Sequence, residues 1–195
     1  MSAPSPPPGP VFLPLDLHPT QALTVLLLVG VAPAELDALR ARQAARTLDI
    51  ALLDAALLPS LLCLQAAASR VLLARARGGR GLSASPHTDL VHALHGGKHW
   101  GESLRALAPR AGCSAVLLAA LGAGAPDLRA LHAAALPSAG VGDAAEFYGA
   151  GGGRRVDEAA VRALYRGGDE ERALGAGGGL GALEAAVLGR VGAEA

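Results

Sequence analysis

The distribution of apolar positions along the chain predicts two buried strands. Residues 23–29 (LTVLLLV) and 114–121 (SAVLLAAL) are short apolar runs without alternation. Runs of this kind are typical of strands that are covered on both faces. Val141 lies in a further segment that could form an edge strand. We therefore expect a small sheet, with the first of these runs near its centre.

The pattern between these runs predicts helices. Pro33 is positioned to open an amphipathic helix over AELDALRARQAAR, which places Leu36 and Leu39 on one apolar stripe. Ser85 and Pro86 form a cap and a first-turn proline that start another helix. Including that helix, the pattern predicts helices over residues 86–95, 99–110, 125–136, 156–165 and 180–190.

The stretch from Leu48 to about Arg75 is almost uniformly apolar. Asp54 and Pro59 divide it into a short helical piece and a longer helix. The longer piece (LLCLQAAASRVLLARAR) is rich in the strong helix formers Ala and Leu. It is apolar around most of its circumference, so we expect it to be extensively covered, either within the domain or by a partner.

Length and composition favour a single domain. The chain has 195 residues, of which 51% are hydrophobic, 17% charged and only 3% aromatic, so its core must consist of Leu, Val and Ala. The elements predict an α/β (α+β) domain over residues 11–195, with a small, mostly antiparallel or mixed sheet and about seven or eight helices. We expect a disordered Pro-rich tail over residues 1–10 and a flexible Gly-rich loop near residues 149–155.

Charge and cysteine content limit the partners and the compartment. Seventeen basic residues balance seventeen acidic ones, so any contact with RNA must be local. The longest charge-free stretch of the apolar middle spans residues 55–69, short of the roughly 20 apolar residues that a membrane span needs. Cys63 and Cys113 form no CxxC pair, and no secretory signal is recognisable. We interpret both as reduced, buried thiols of a cytosolic or nuclear protein.

The motifs of common catalytic centres are missing from the sequence. There is no GxSxG nucleophile turn and no GxxxxGK[ST] phosphate loop, and the glycine clusters do not satisfy the spacing GxGxxG. Cys113 enters an apolar run, where inert packing is the expected role. The sequence therefore predicts no catalytic residue and no cofactor.

Four of the six histidines lie in one short segment: His87, His92, His95 and His99. His92 and His95 would share a helix face. His99 could fold back toward them across the glycine pair at 96–97, which lies between His95 and His99. Zinc could use such a set. However, HExxH is absent and neither cysteine is nearby in sequence. A zinc-binding protein that uses the cluster from His87 to His99 is the alternative function, and histidines that lie on the surface or line a groove are the favoured interpretation.

Several segments, taken in order along the chain, resemble the PRPK-binding protein family. They are LDLHP at 15–19, TVLLLV at 24–29, ELDALRARQAARTLDIALLD at 35–54, LLCLQAAASRVLL, HTDLVHALHGGKHWGESLRALA at 87–108, SAVLLAAL, and the carboxyl-terminal segment that begins VRALYRGG. The chain departs from the family pattern at Trp100, where an aliphatic residue is usual, and in its Gly-rich insert and Pro-rich tail.

The resemblance implies a non-catalytic subunit of the KEOPS (EKC) complex, present in cytoplasm and nucleus. Such a subunit binds and regulates the complex's atypical, PRPK-like kinase and contacts the other subunits indirectly. It supports the threonylcarbamoyladenosine (t6A) modification of tRNA, and archaeal relatives also hold the single-stranded CCA end of the tRNA.

Site residues follow from this resemblance. The tRNA-tail groove would be formed by Thr88, His92, His95, Lys98, Trp100 and Leu107. Stacking on an aromatic face and a few local charges suit an unpaired RNA end, although Trp100 could instead be a core residue. We expect the kinase to contact the broad apolar helix through Leu61, Leu64 and Val71. Burial of that helix within the domain is the alternative.

Overall fold

The computed structural model describes residues 8–79, 82–97, 99–110, 112–149, 156–165 and 180–193. Five strands are formed by Val11–Leu13 (β1), Leu23–Val29 (β2), Ala51–Asp54 (β3), Ala115–Leu121 (β4) and Gly140–Gly142 (β5). The described residues also form eight α-helices, at Pro33–Ala44 (α1), Leu61–Ala76 (α2), Pro86–His95 (α3), Trp100–Leu107 (α4), Leu128–Ala135 (α5), Ala144–Tyr148 (α6), Glu158–Leu164 (α7) and Leu180–Ala193 (α8). None of these helices is long and apolar enough to cross a membrane.

The sheet is antiparallel throughout. β2 and β4 pair along their whole length, with Leu23 opposite Leu121 and Val29 opposite Ala115. β3 pairs with the other edge of β4. β1 and β5 lie one after the other along the outer edge of β2. The expected fold class, a single α/β domain with a mostly antiparallel sheet, is therefore confirmed.

Helices cover both faces of this sheet. Successive residues of β2 point to opposite faces, so Val25 and Leu27 enter one hydrophobic cluster while Leu26 and Leu28 enter the other. The larger cluster lies beneath α2, α3 and α6 to α8, and the smaller one lies beneath α1 and α5. Both central strands are buried on two sides, which confirms the prediction from their uninterrupted apolar runs.

The prediction of a short helical piece after Leu48 is wrong. Residues Ala51–Asp54 form β3, and only the following three residues form a 3₁₀ turn, whose amino terminus is capped by the Asp54 carboxylate. Ala and Leu favour a helix locally, but this segment completes the sheet beside β4, and that tertiary pairing decides its structure. β1 and α6 are also additions to the predicted elements. Residues 1–7 of the expected tail and 150–155 of the expected loop lie outside the described residues.

α1 ends without a glycine. Arg46 takes the left-handed backbone conformation, with φ of 57°. Its N–H donates to the Gln43 carbonyl, and the Thr47 N–H donates to the Arg42 carbonyl, each at 2.9 Å. These two bonds form a Schellman motif, in which the left-handed position is usually glycine. Arg46 therefore carries backbone strain of about 1 kcal/mol that a glycine would not.

The two cysteines differ in burial. Cys63 is fully buried on α2, and burial raises the pKa of its thiol to about 11. Cys113 is only half-buried and lies two residues before β4, so the expectation of a buried thiol inside the strand is corrected. Partial burial raises the pKa of the Cys113 thiol as well. Both thiols are free.

Candidate functional site

The residues of α2 expected to contact a kinase are largely occupied within the domain. Leu64 and Val71 lie in the hydrophobic core, and Leu61 is half-buried against it. The broad apolar circumference of α2 is therefore explained by packing between the sheet, α3 and α8. Leu64 and Val71 are only 0% and 4% exposed, so their burial follows the alternative in which α2 is covered within the domain.

α2 and α8 run side by side in the same direction. The Cys63 thiol lies 4.0 Å from the Glu184 carbonyl, and seven residues further along both helices the Arg70 Nη1 donates to the Val191 carbonyl at 2.8 Å. Between residues 181 and 192 of α8, the exposed positions carry only small residues, namely Gly181, Ala185, Gly189 and Gly192. Small side chains let another helix or strand approach closely.

Two exposed leucines lie beside α2. Leu62 is 52% exposed and Leu17, in the loop that follows β1, is 73% exposed. That loop is held against α2 at both ends, since Gln65 Nε2 donates to the Pro14 carbonyl at 2.9 Å and His18 Nε2 lies 3.2 Å from the Ser69 carbonyl.

We call this surface the docking face. It comprises Leu17, Leu62 and the half-buried Ala66, with Ala185 and Gly189 of α8. Helix geometry supports its continuity, because Leu62 and Ala66 are four residues apart on the side of α2 between α8 and the loop. A large exposed apolar side chain is informative when it lies among others. Only four such side chains occur in the described residues, and two of them are here.

A second candidate surface lies where α3 ends and α4 begins. Ser103 is fully buried, and its Oγ lies 3.0 Å from the Nδ1 atoms of both His92 and His95. The same Oγ donates to the His99 carbonyl at 3.2 Å. A hydroxyl that donates its one proton to a carbonyl must accept from both imidazoles. This geometry assigns the Nδ1–H tautomer to both rings and confirms that His92 and His95 share a helix face.

The glycine pair after α3 is required by close contacts. Gly96 has φ of +62°, and a Cβ there would lie 2.9 Å from Arg190 Nε of α8. A Cβ on Gly97 would lie 2.5 Å from His95 Nδ1. The Arg190 guanidinium donates to the Gly96 carbonyl at 3.4 Å and caps the end of α3. Burial first, and then the charge of Arg190, lower the pKa of His95, so a neutral ring is favoured.

The remaining residues predicted for the tRNA tail separate into different environments. Trp100 is half-buried and meets His92 edge to face, with ring centres 5.9 Å apart. Thr88 is half-buried one turn before His92 on α3. Leu107 is a core residue, so its assignment to a binding groove is corrected. Lys98 lies outside the described residues. The partly exposed set is therefore Thr88, His92 and Trp100.

His87 belongs to another site. Its Nε2 accepts a hydrogen bond from the Leu121 N–H at 2.8 Å, and its Nδ1 lies 2.9 Å from Asp49 Oδ1. The four histidines are thus not gathered around one point. The described residues hold no group of three or more His, Cys, Asp or Glu side chains that could bind a metal ion. The alternative of a zinc site formed by the segment from His87 to His99 gains no support from this arrangement.

Ser85, Asp49 and His87 include the three residue types of a serine hydrolase. Their connection is different, since the Ser85 hydroxyl donates to Asp49 and not to the imidazole. The imidazole nitrogen that would act as the base already accepts from a backbone N–H. The arrangement caps α3, with Ser85 Oγ accepting from the N–H groups of His87 and Thr88, and does not activate a nucleophile.

The fold and these surfaces define a small α/β domain that carries the docking face, with its two exposed leucines, and a cluster of histidines where α3 meets α4. Residues 32–194 match the family described as kinase binding protein CGI-121, which is most of the chain. The chain belongs to this family of kinase binding proteins, which confirms the resemblance noted from the sequence. A search of curated proteins found no match.

The two exposed leucines of the docking face were not predicted from the sequence, although the sequence carried a signal for one of them. Leu62 lies on the opposite side of α2 from the buried Leu64 and Val71, so a helical projection would have separated them. Leu17 lies between the polar residues Asp16 and His18 and belongs to no predicted element. Its place beside α2 depends on tertiary contacts.

Proposed function

We propose that this chain is a non-catalytic subunit of a KEOPS (EKC) complex, acting in cytoplasm and nucleus. It binds and regulates the complex's atypical, PRPK-like kinase and supports t6A modification of tRNA. The match of residues 32–194 to a kinase binding family carries the proposal. The other subunits of the complex are contacted indirectly, through the kinase.

The kinase docks on the docking face. Leu17 and Leu62 already expose most or half of their side chains, so docking buries them without unfolding the domain. Full burial of a leucine contributes about 1.5–3 kcal/mol. Docking can gain only the fraction of this free energy that corresponds to the part of each side chain that is still exposed. The small residues Ala185 and Gly189 let the partner approach the helix backbone.

Capture of the purified kinase tests this assignment. Leu62→Arg is expected to abolish co-purification, because a charge is placed at the centre of the apolar contact. The matched control is Leu104→Arg, which changes a side chain that is 40% exposed and lies on α4, away from the docking face. Retention of the kinase by Leu62→Arg, or its equal loss in both variants, would refute the docking face.

The groove at Trp100 is the proposed contact for the CCA end of tRNA. A partly exposed indole offers a stacking surface, and it is backed by His92 and by Thr88 one helical turn away. Because the chain has no net charge, affinity must come from such local contacts more than from a general attraction to phosphate.

Filter binding at one stated salt concentration tests the groove. Wild-type protein is expected to bind tRNA better with its CCA end than without it, and Trp100→Ala is expected to remove the difference. Stacking contributes about 1–3 kcal/mol per base, so the loss should be at least fivefold. Leu104→Ala on the same helix, at an exposed position, is the control. The groove is wrong if wild type binds both tRNAs equally.

A further inference from the structure

A cleft lies at the end of the sheet where β4 finishes, away from the docking face. Its volume is about 440 Å³. Its walls combine polar and apolar groups: the carboxylate of Asp49 and the imidazole of His87 lie among the apolar residues Leu48, Pro86, Leu121, Ala125 and Pro126. Neither Lys nor Arg is among the described residues that line it.

The carboxylate of Asp49 is held in a fixed orientation. It precedes β3 in a loop and is 53% exposed, so it is reachable from solvent. Its Oδ1 accepts from the Ser85 hydroxyl and lies 2.9 Å from His87 Nδ1. Both neighbours belong to the first turn of α3 or to its cap, so the start of one helix sets the position of this charge.

His87 does not neutralise that charge. Its Nε2 accepts from the Leu121 N–H, which leaves the single ring proton on Nδ1. The ring is only 4% exposed, and Nδ1 is buried and not aligned for a good hydrogen bond with Asp49. The guanidinium of Arg75, which also lies near His87, donates to Asp89 and to the Ser83 carbonyl. Among the described residues that line the cleft, none carries a positive charge to pair with the Asp49 carboxylate, and apolar side chains lie beside it.

A second cavity continues on the other side of the loop formed by residues 122–126. It has a volume of about 580 Å³ and shares Ala125 and Pro126 with the cleft. Phe12 of β1 lies in it and is 74% exposed, beside Leu128 at the start of α5. An apolar side chain would fit there while a neighbouring residue of the same peptide occupies the cleft.

We propose that the cleft at Asp49 binds an arginine or lysine side chain of a partner polypeptide, with an adjoining apolar residue of that polypeptide against Phe12. A carboxylate at the wall of an apolar cleft suits a cation on a methylene stem, because the stem packs on Pro86 and Pro126 while the charge meets the carboxylate. An anion such as phosphate would meet only the like charge of Asp49.

Titration of ¹⁵N-labelled full-length chain with the peptide Ac-Leu-Arg-NH₂ tests the site. We expect saturable shifts of the backbone amides of Leu48, Asp49, Leu121 and Ala125. The analogue with citrulline has nearly the same shape without the charge, and it should bind at least tenfold more weakly. Equal binding of the two peptides by wild type, or shifts confined to other residues, would overturn the proposal.

Two carboxylate variants test whether Asp49 is the group that recognises the arginine of the peptide. Asp49→Asn should remove the preference for arginine over citrulline, whereas Asp37→Asn, which changes an exposed carboxylate on α1, should keep it. All titrations use the same ionic strength, since surface electrostatics depend on salt. Persistence of the preference in Asp49→Asn would also refute the site. Leu62→Arg should leave the peptide titration unchanged, so failure of this inference and failure of the docking face are distinguishable.

Discussion

The hydrogen bond between His87 and the Leu121 backbone predicts a measurable and pH-dependent share of stability. The Leu121 N–H lies at the end of β4 and donates to His87 Nε2 at 2.8 Å, in fully buried surroundings. His87→Phe keeps a planar ring and removes the acceptor. A buried donor left without a partner costs about 1–3 kcal/mol, so we expect the free energy of unfolding to fall by that amount. Urea denaturation at pH 8 measures it.

The same bond makes stability depend on the protonation of His87. Burial lowers the pKa of His87 in the folded state, even though the nearby Asp49 carboxylate opposes the shift. The unfolded chain therefore binds a proton at higher pH than the folded one does. The neutral ring contributes its full stabilisation above about pH 6.5, which is the ordinary pKa of a histidine in an unfolded chain. This stabilisation is lost as the pH falls toward the pKa of His87 in the folded state.

A variant that does not titrate isolates this effect. His87→Gln offers an acceptor and a donor, and the other five histidines are the same in both proteins. The stability advantage of wild type over His87→Gln should shrink between pH 7 and pH 5, by at most about 1.4 kcal/mol for each pH unit. An advantage that stays constant or grows over this range would refute the neutral, acceptor-bound His87. If His87→Phe lowers the free energy of unfolding by less than about 0.5 kcal/mol, the claim that the Leu121 N–H is a buried donor that depends on His87 is refuted.

Three further variants test the fold by urea denaturation. Arg46→Gly should stabilise the protein by about 1 kcal/mol by relieving the left-handed position, whereas the control Ala45→Gly should destabilise it. Asp89→Ala should cost roughly 3 kcal/mol, because it leaves the partly buried Arg75 guanidinium without its carboxylate. Leu64→Ala should cost about 3 kcal/mol and Leu62→Ala less than 1, since only the first creates a core cavity. A reversed order would contradict the placement of the two leucines.

Periodicity predicted the elements whose structure is determined by local sequence. The buried strands were recognisable because a strand covered on both faces has no polar positions. α3 was recognisable from the Ser85 cap and the glycine pair that ends it. β3 was missed because three residues of Ala and Leu followed by Asp54 carry no strand signal of their own. Their structure depends on pairing with β4, which begins more than sixty residues later in the chain.

The functional surfaces also contain some features that the local sequence predicts and others that depend on tertiary packing. The shared face of His92 and His95 follows from a spacing of three residues, so it could be predicted. Their common partner Ser103 could not, since it is placed by the packing of α4 against α3. The cleft at Asp49 brings together loop, helix and strand residues that are up to about eighty positions apart, and no local pattern indicates such a site.

α3 connects all of these surfaces. Its cap residue Ser85 holds Asp49, its first turn holds the end of β4 through His87, and its last turn carries His92 and His95 toward α4. Between them the helix packs against α2, whose opposite side contributes Leu62 to the docking face. A ten-residue helix that is buried at seven positions has little freedom to move independently of its neighbours. The proposed kinase, RNA and peptide contacts thus depend on one rigid element, and a cavity in the core beneath α3 should weaken all three together, whereas Leu62→Arg, Trp100→Ala and Asp49→Asn should each weaken one.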